Sequence, residues 1–450
     1  MSKFPFVSIE SIANKVAMGP FGSSIKVETF TSEGIPIISG AHLHNVKLTD
    51  GNYNFISPAH ASNLKNSIVH KKDIIFTHAG NIGQVSYIPD NSKYKNYIIS
   101  QRQFYLRCNE RALPEYVAYY FKSRKGKFSL LANSSQVGVP SIAQPVSYLK
   151  SIKIPLPEKK VQLAIVNILC SFDDKIELNR KMNETLEEMA QAVFQDWFVD
   201  FGPVKRKAKG ITDPVAILGG LIPNPAQAQK IASLFPDQFA EDGLPRGWDL
   251  KPLTNLASII SGGTPKTSES KYWNGDIPWY SIVDAPKSGE VFVLDTQKHI
   301  TIEGLNNSAA RLIRPNVTII SARGTVGKLA IADHAMCFNQ SCYGIEANNC
   351  INDYFIYLNL IHALNRLQNM AYGTVFSTIT RKTIEKIFIN IPSNDLLISF
   401  STCVDPLFNL IKHNGEQIRT LAEMRDLLLP KLMSGEISVD ELEKKMGGVL

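Results

Sequence analysis

Between residues 158 and 199 the chain holds neither proline nor glycine, and its apolar residues recur with a helical beat. Written as heptads, one seam takes Ile165, Phe172, Asn179, Leu186 and Val193. The other takes Val161, Ile168, Lys175, Met182 and Met189, ending polar at Asp196 beside Trp197. So narrow an apolar stripe predicts a long helix that needs a second helix to lie against. At 1.5 Å per residue it would run roughly 60 Å, too long to bury inside one small domain.

The same chain offers the partner. Residues 395–431 repeat the pattern, with one seam of Phe400, Leu407, Asn414, Leu421 and Leu428 and another of Leu396, Cys403, Leu410, Gln417 and Met424. Leu421 lies 235 residues beyond Leu186, and Met424 the same distance beyond Met189. Gly373 with Gly138 and Pro392 with Pro157 share this offset, so the repeat begins before the helices. Asn179 and Asn414 are also 235 apart, each near the middle of its helix. A buried seam amide costs stability but fixes register, because a slipped amide loses its partner. In an antiparallel, twofold-related pair, equivalent residues meet only at the centre. Were the two helices paired in that way, Asn179 and Asn414 would face each other and hydrogen-bond directly or through one water.

A chain of 450 residues is long enough for several domains. Residues 158–198 carry five Lys and Arg against eight Asp and Glu, and 393–434 carry four against five. The helices thus sum to −4, leaving +11 of the net +7 elsewhere, as expected of a nucleic-acid binder. No apolar run approaches the ~20 residues of a membrane span, and MSKFPFVSIE lacks a signal-peptide pattern. The six cysteines form no CxxC pair and predict reduced thiols in a cytoplasmic protein. Cys337, Cys342 and Cys350 fit no zinc spacing, and no metal site is expected.

The expected organisation is a first globular unit at 1–157, a long helix at 158–199, an irregular linker at 200–245, a second unit at 246–392, a second helix at 393–434 and a tail at 435–450. Strand-like runs in the first unit are IPIIS at 35–39, DIIFTH at 73–78, QVSYI at 84–88 and QFYLRC at 103–108. The second unit offers IPWYS at 277–281 and VTIIS at 317–321. Each unit has an early glycine loop, MGPFGSS or SGGTPKT, which aligns Gly19 with Gly263. Each then reaches a G-x-x-G turn, Gly80 to Gly83 and Gly324 to Gly327, 244 apart. IISQRQ at 98–103 and CFNQSC at 337–342 follow. These glycines suit a tight hairpin with positive φ, and equally a backbone that another surface can approach closely. In the linker, Lys205, Arg206, Lys207 and Lys209 are most simply a solvated connector.

No catalytic constellation is visible. GTVGK lacks the Ser or Thr and the leading Gly of a phosphate loop, and there is no G-x-G-x-x-G after a strand, G-x-S-x-G or H-E-x-x-H. The loops instead carry residues suited to base edges and phosphates. Around the first unit's turns these are Lys26, His42, His44, Asn81, Gln84, Gln101 and Arg102. Around the second unit's they are Lys266, Lys271, Tyr272, Trp273, Arg323, Thr325, Lys328, Asn339 and Gln340. Arg pairs bidentately with guanine and Asn or Gln with adenine, while Lys and backbone amides hold phosphates. Each is singly an ordinary surface residue; their recurrence after equivalent glycine turns carries the reading.

With QDWFVDFGPVK, LFPDQF and LPRGW between the halves, SGGTP and SARGTVG in the second half, and IRTLAEMRDLLLPKLMSGEI at the end, the chain resembles the specificity subunit of type I restriction–modification enzymes. The first half departs from that pattern, with MGPFGSS for SGGTP and HAGNIG for SARGTVG. The resemblance implies an α+β fold of two similar α/β target-recognition domains separated by two long antiparallel helices, a coiled-coil spacer with a pseudo-twofold repeat. It implies no catalysis and no cofactor in this chain. Each domain would read half of a split double-stranded DNA site. Modification subunits, two per chain, would bring S-adenosylmethionine, and restriction subunits ATP-driven cleavage. Two other classes stay open from the residues alone: a protein-binding coiled-coil scaffold, and a fused methyltransferase or nuclease.

Overall fold

The computed structural model of the chain describes residues 3–22, 24–135, 138–348, 351–370 and 378–439. Gly373 and Cys350 lie outside the described residues. The chain divides into two compact units, Met1–Asp174 with Leu421–Leu450 and Lys175–Thr420.

In the first unit, a four-stranded antiparallel sheet runs in the order Ala13–Met18, Gln103–Cys108, Ile74–Thr77, Val85–Tyr87. A second sheet contains the parallel pair Ile35–Ile38 and Asn96–Ile99, flanked by Asn54–Ile56 and Ile68–His70. The second unit repeats this plan. Its main sheet runs Ala257–Ser261, Cys342–Ala347, Thr318–Ser321, Leu329–Ala332, with Phe292–Val293 added at the edge. Its other sheet pairs Trp273–Tyr280 in parallel with Cys337–Phe338. Strand residues such as Ile74, Ile75, Phe76 and Ile319 are fully buried, so these runs are nearly continuous in apolar residues rather than alternating. A helix missed by the sequence reading, Asp353–Met370, packs Phe355, Ile356 and Leu360 into the second core.

The repeat extends to single hydrogen bonds. Gly83 N–H reaches Thr77 O at 3.1 Å, and Gly327 N–H reaches Ser321 O at 2.9 Å. Gly80, Gly83, Gly324 and Gly327 all have φ between +77° and +83°, the region glycine adopts without strain. The early glycine loops align differently from the sequence expectation. Strand registers set Met18 and Ser261 opposite Phe104 and Tyr343. A Cβ on Gly19 would lie 2.1 Å from Ser100 O, and one on Gly262 would lie 2.1 Å from Asn339 O. Gly19 therefore corresponds to Gly262, not Gly263.

The long helices run Lys159–Phe194, continued by one π turn at Gln195–Val199, and Asn394–Ser434. The second passes through Pro406 and Gly415, so packing overrides local propensity there. Ile165, Phe172, Asn179, Leu186 and Val193 are buried as expected, but the other seam is displaced by one residue. It consists of Gln162, Leu169, Ile176, Asn183, Ala190 and Trp197, all buried, while Met182 and Met189 are 39% and 50% exposed. On the second helix Leu396 and Phe400 are buried as expected, but the row that continues inward is Leu397, Val404, Ile411, Ile418 and Leu432, with Leu410 and Met424 40% and 45% exposed. A seam is chosen by where whole rows can interdigitate, so small or polar residues enter it and methionines leave it.

Asn179 and Asn414 are both buried, but they do not bond to each other. Asn179 Nδ2 donates to Gln417 Oε1 at 3.1 Å, and Asn414 Nδ2 donates to Asn183 Oδ1 at 2.9 Å. Asn183 also donates to Gly289 O and Ile411 O. These pairings run antiparallel and place the centre of the repeat near Lys181 and Glu416, about half a turn beyond the two asparagines. Each asparagine therefore reaches the partner helix one turn away from its own counterpart.

The segment 200–245 is not irregular. Short helices at Gly202–Ala208, Pro214–Ile217 and Pro225–Ala232 each begin with a proline in the first turn. They bury Val204, Ile217, Leu218, Ile231 and Phe235 against Trp197, Phe198 and Trp248. Arg206 is no solvated charge: it forms a bidentate pair with Asp196 at 2.6 and 3.0 Å and donates to Ile217 O. Lys207 donates to Ala232 O and Phe235 O, whereas Lys205 and Lys209 are exposed.

Candidate nucleic-acid interface

In the first unit two neighbouring turns bring Asn81, Gln84, Gln101 and Arg102 to one end of the main sheet. The hairpin 78–84 lies beside the 100–103 turn because His78 N–H donates to Arg102 O at 2.9 Å. His78 Nε2 donates to Gln101 O at 3.1 Å. Burial holds the His78 imidazole below its ordinary value, so near neutral pH it is an uncharged brace. Beneath the surface, Ser100, Gln103, Thr77 and Gln84 form a polar chain: Ser100 Oγ donates to Gln103, Gln103 Nε2 to Thr77 Oγ1, and Thr77 to Gln84 Oε1. Gln103 and Thr77 are buried, so this chain sets the turn geometry and leaves Asn81, Gln101 and Arg102 exposed.

The other candidates of this unit divide. His42 is a structural residue: Nδ1 accepts from Ser39 N–H at 2.9 Å, Nε2 donates to Asn52 O, and the ring packs 4.6 Å from Tyr53. Its turn nonetheless abuts the polar chain, since a Cβ on Gly40 would lie 3.0 Å from Gln84 Oε1. His44 is exposed and gives its carbonyl to Lys122 Nζ at 2.9 Å. Lys26 is exposed on the loop that follows Gly19. Neither Lys26 nor His44 is tied to the hairpin by a hydrogen bond.

In the second unit Arg323, Thr325 and Lys328 are all exposed on the 322–328 hairpin. Ser321 Oγ fastens that hairpin by donating to Thr325 O and accepting from Lys328 N–H. Ala322 N–H donates to Ser341 O at 2.7 Å, setting the 339–341 turn alongside. Gln340 is held by Thr264 Oγ1, and Asn339 Oδ1 accepts from Ser341 N–H, which limits its freedom to read a base. The surface continues through Gly263, whose carbonyl takes Trp279 Nε1–H at 2.9 Å, to Trp273, 5.2 Å from Trp279 edge to face. Trp273 Nε1 donates to Lys266 O, and Lys298 lies 5.7 Å from its ring. Lys271 pairs with Glu303 at 2.5 Å, and its ammonium also lies 5.5 Å from the Tyr272 ring. Sequence reasoning missed Trp279, Lys298 and the buried polar chain of the first unit. The signal for Thr264 was present in SGGTP.

Among the described residues no His, Cys, Asp and Glu group could hold a metal, and no helix is long and apolar enough to cross a membrane. The thiols of Cys337 and Cys342 are pushed up to about 12 by burial, which leaves them protonated and poor ligands.

Known proteins share both the sequence pattern and the fold of this chain. The family model described as the type I restriction modification DNA specificity domain matches residues 2–188 and 245–396. The chain is 29% identical over 405 residues to the type I restriction enzyme HindI specificity subunit of Haemophilus influenzae, covering 82% of this chain and 87% of that one. It is 27% identical over 439 residues to the MjaIX specificity subunit of Methanocaldococcus jannaschii, covering 93% and 90%. The crystal structure of a type I restriction–modification S subunit from M. genitalium shares the fold, with 17% identity, 96% coverage of both chains and a TM-score of 0.52.

Proposed function

The chain belongs to the type I restriction modification DNA specificity family, as a non-catalytic subunit that confers sequence-specific DNA recognition, and we propose that each unit reads one half of a bipartite site. The observation that carries this is the repeat itself. Two units present the same pair of turns, and each exposes a guanidinium and at least one amide side chain on a rigid sheet end. Direct readout needs donors and acceptors held in place, and the polar chain below Gln84 together with the Ser321 clamp below Lys328 supplies that.

In this reading the antiparallel helices set the spacer between half-sites and dock two modification subunits. Those partners carry S-adenosylmethionine and the methyl transfer, and restriction subunits carry ATP-driven cleavage. The buried amide pairs Asn179–Gln417 and Asn183–Asn414 fix the helix register and hence the spacer. Expressing the chain with its modification subunits and sequencing the methylated DNA tests the proposal. A split motif that vanishes when this chain is removed is expected. Methylation by the purified chain alone, or an unchanged motif without it, would overturn it.

A further inference from the structure

We propose that Arg102 in the first unit makes the DNA contact that Arg323 makes in the second, from a different position in the repeat. The inference rests on the DNA-reading assignment above. The two hairpins correspond residue for residue at an offset of 244, so the counterpart of Arg323 is Ala79. The structure bears this out: Ala79 bridges Ser141 antiparallel, and Arg323 bridges Thr378 in the same way. The adjoining turns correspond at an offset of 239, so the counterpart of Arg102 is Ser341. An arginine missing from the hairpin of the first unit is thus present on the turn beside it.

The two positions are neighbours in both units. His78 N–H donates to Arg102 O, and Ala322 N–H donates to Ser341 O, so one backbone hydrogen bond separates the turn from the hairpin. From the turn, the Arg102 side chain folds back over the hairpin. A Cβ built on Gly80, the residue after Ala79, would lie 3.3 Å from Arg102 Nη1. The guanidinium therefore sits at the first glycine of G-x-x-G, which in the second unit directly follows Arg323.

Both guanidinium groups are unengaged. Among the arginines whose side chains are described, Arg102, Arg124, Arg311 and Arg323 alone have no side-chain hydrogen bond, ion pair or ring contact, and two of these four stand at the glycine hairpins. Structural arginines of this protein behave otherwise: Arg107 is paired with Asp73, and Arg206 with Asp196. The first surface is also poorer in charge. Gln84 stands where the second unit has Lys328, and His78 is held neutral, so Arg102 is the one cation of its two turns. Its ligand is the anionic or acceptor face of DNA, a phosphate or a guanine edge, both of which a guanidinium forks.

The test uses the complex with modification subunits and duplexes carrying the methylated motif. Arg102→Ala should weaken binding by about 5- to 150-fold, the span of one good arginine contact to DNA. Arg323→Ala should weaken it less, because Lys328 remains. Adding Ala79→Arg to Arg102→Ala, or Ser341→Arg to Arg323→Ala, should recover most of the loss. A loss uniform over all sequences identifies a phosphate, and a loss of preference at one guanine identifies a base edge. Selective binding that Arg102→Ala leaves untouched would overturn the inference. So would failure of both relocations in variants that unfold at the wild-type temperature. A wild-type complex that binds without selectivity would instead overturn the DNA-reading assignment itself.

Discussion

In the first unit the end of the helix pair is closed by the start of the chain, where Lys3 N–H donates to Ser434 O and Leu432 and Met433 enter the core. In the second unit the residues 235 positions earlier are Trp197 and Phe198, closed over by the three connector helices. Phe235, Trp248, Phe355 and Phe400 surround them at ring separations of 5.0 to 5.9 Å, mostly edge to face. One backbone plan thus accepts an aliphatic closure or an aromatic one. The difference shows that segment 200–245 is not a tether but a cap, occupying in the second unit the place that the chain's start takes in the first.

The largest consequence falls on that cap. Trp197→Ala should destabilise the chain by about 3–5 kcal/mol, since it empties a buried aromatic site ringed by rigid neighbours. Urea unfolding followed by circular dichroism measures this. A change below about 1 kcal/mol would mean the connector is merely draped over the helices.

Next in size is an asymmetry between the two equivalent seam amides. Asn414→Leu strips Asn183 Oδ1 of its donor deep in the seam and should cost about 1–3 kcal/mol. Asn179→Leu should cost less, because Asn179 Oδ1 is already without a partner and Gln417, only half-buried, can turn its freed Oε1 to water. Equal losses would show that the two amides are interchangeable after all.

The hairpin glycines sharpen the comparison at the proposed DNA-facing end. Alanine at Gly80 or Gly324 carries a positive-φ cost of about 1 kcal/mol in either unit. A Cβ at Gly324 meets nothing within 4 Å, whereas one at Gly80 crowds Arg102. Gly80→Ala should therefore weaken DNA binding more than Gly324→Ala at similar stability, as read by fluorescence anisotropy. The reverse order would displace Arg102 from the interface.

A smaller effect belongs to the first unit alone. Burial, and then the charge of Lys127, lower the Lys122 ammonium to about 8. Between that value and the ordinary lysine value the unfolded chain binds more protons than the folded one, so stability rises with pH across this window. Lys122→Met should flatten the rise in a series of thermal melts. A slope that persists in the variant would assign it to another group.

Much of this was legible in the sequence. The helices, the glycine hairpins and the strands 74–77 and 103–108 follow from periodicity and turn chemistry. The second seam did not, because Met182 and Met189 are more apolar than Asn183 and Ala190, and hydropathy ranks side chains without knowing which row interlocks. The Asn179–Asn414 pairing failed for the same reason: a seam displaced by one residue moves the centre of the repeat. Connector helices of four to eight residues are shorter than periodicity can resolve, though Pro203, Pro214 and Pro225 each marked a start. Among the site residues, Asn81, Gln84, Gln101, Arg102, Arg323, Thr325 and Lys328 come together at the paired turns. His42 looked similar in sequence but is consumed by Ser39 and Asn52, a distinction that only its hydrogen bonds reveal.

The central claim is that two like units read two halves of one DNA site. Methylome sequencing of cells carrying wild-type chain, Arg102→Ala or Arg323→Ala, each with the modification subunits, addresses it most directly. The account predicts a split motif that depends on the chain; where the arginine meets a base edge, the first-unit half alone relaxes in Arg102→Ala and the other half alone in Arg323→Ala. Relaxation of both halves together in either variant, or a motif that persists when the chain is deleted, would contradict it.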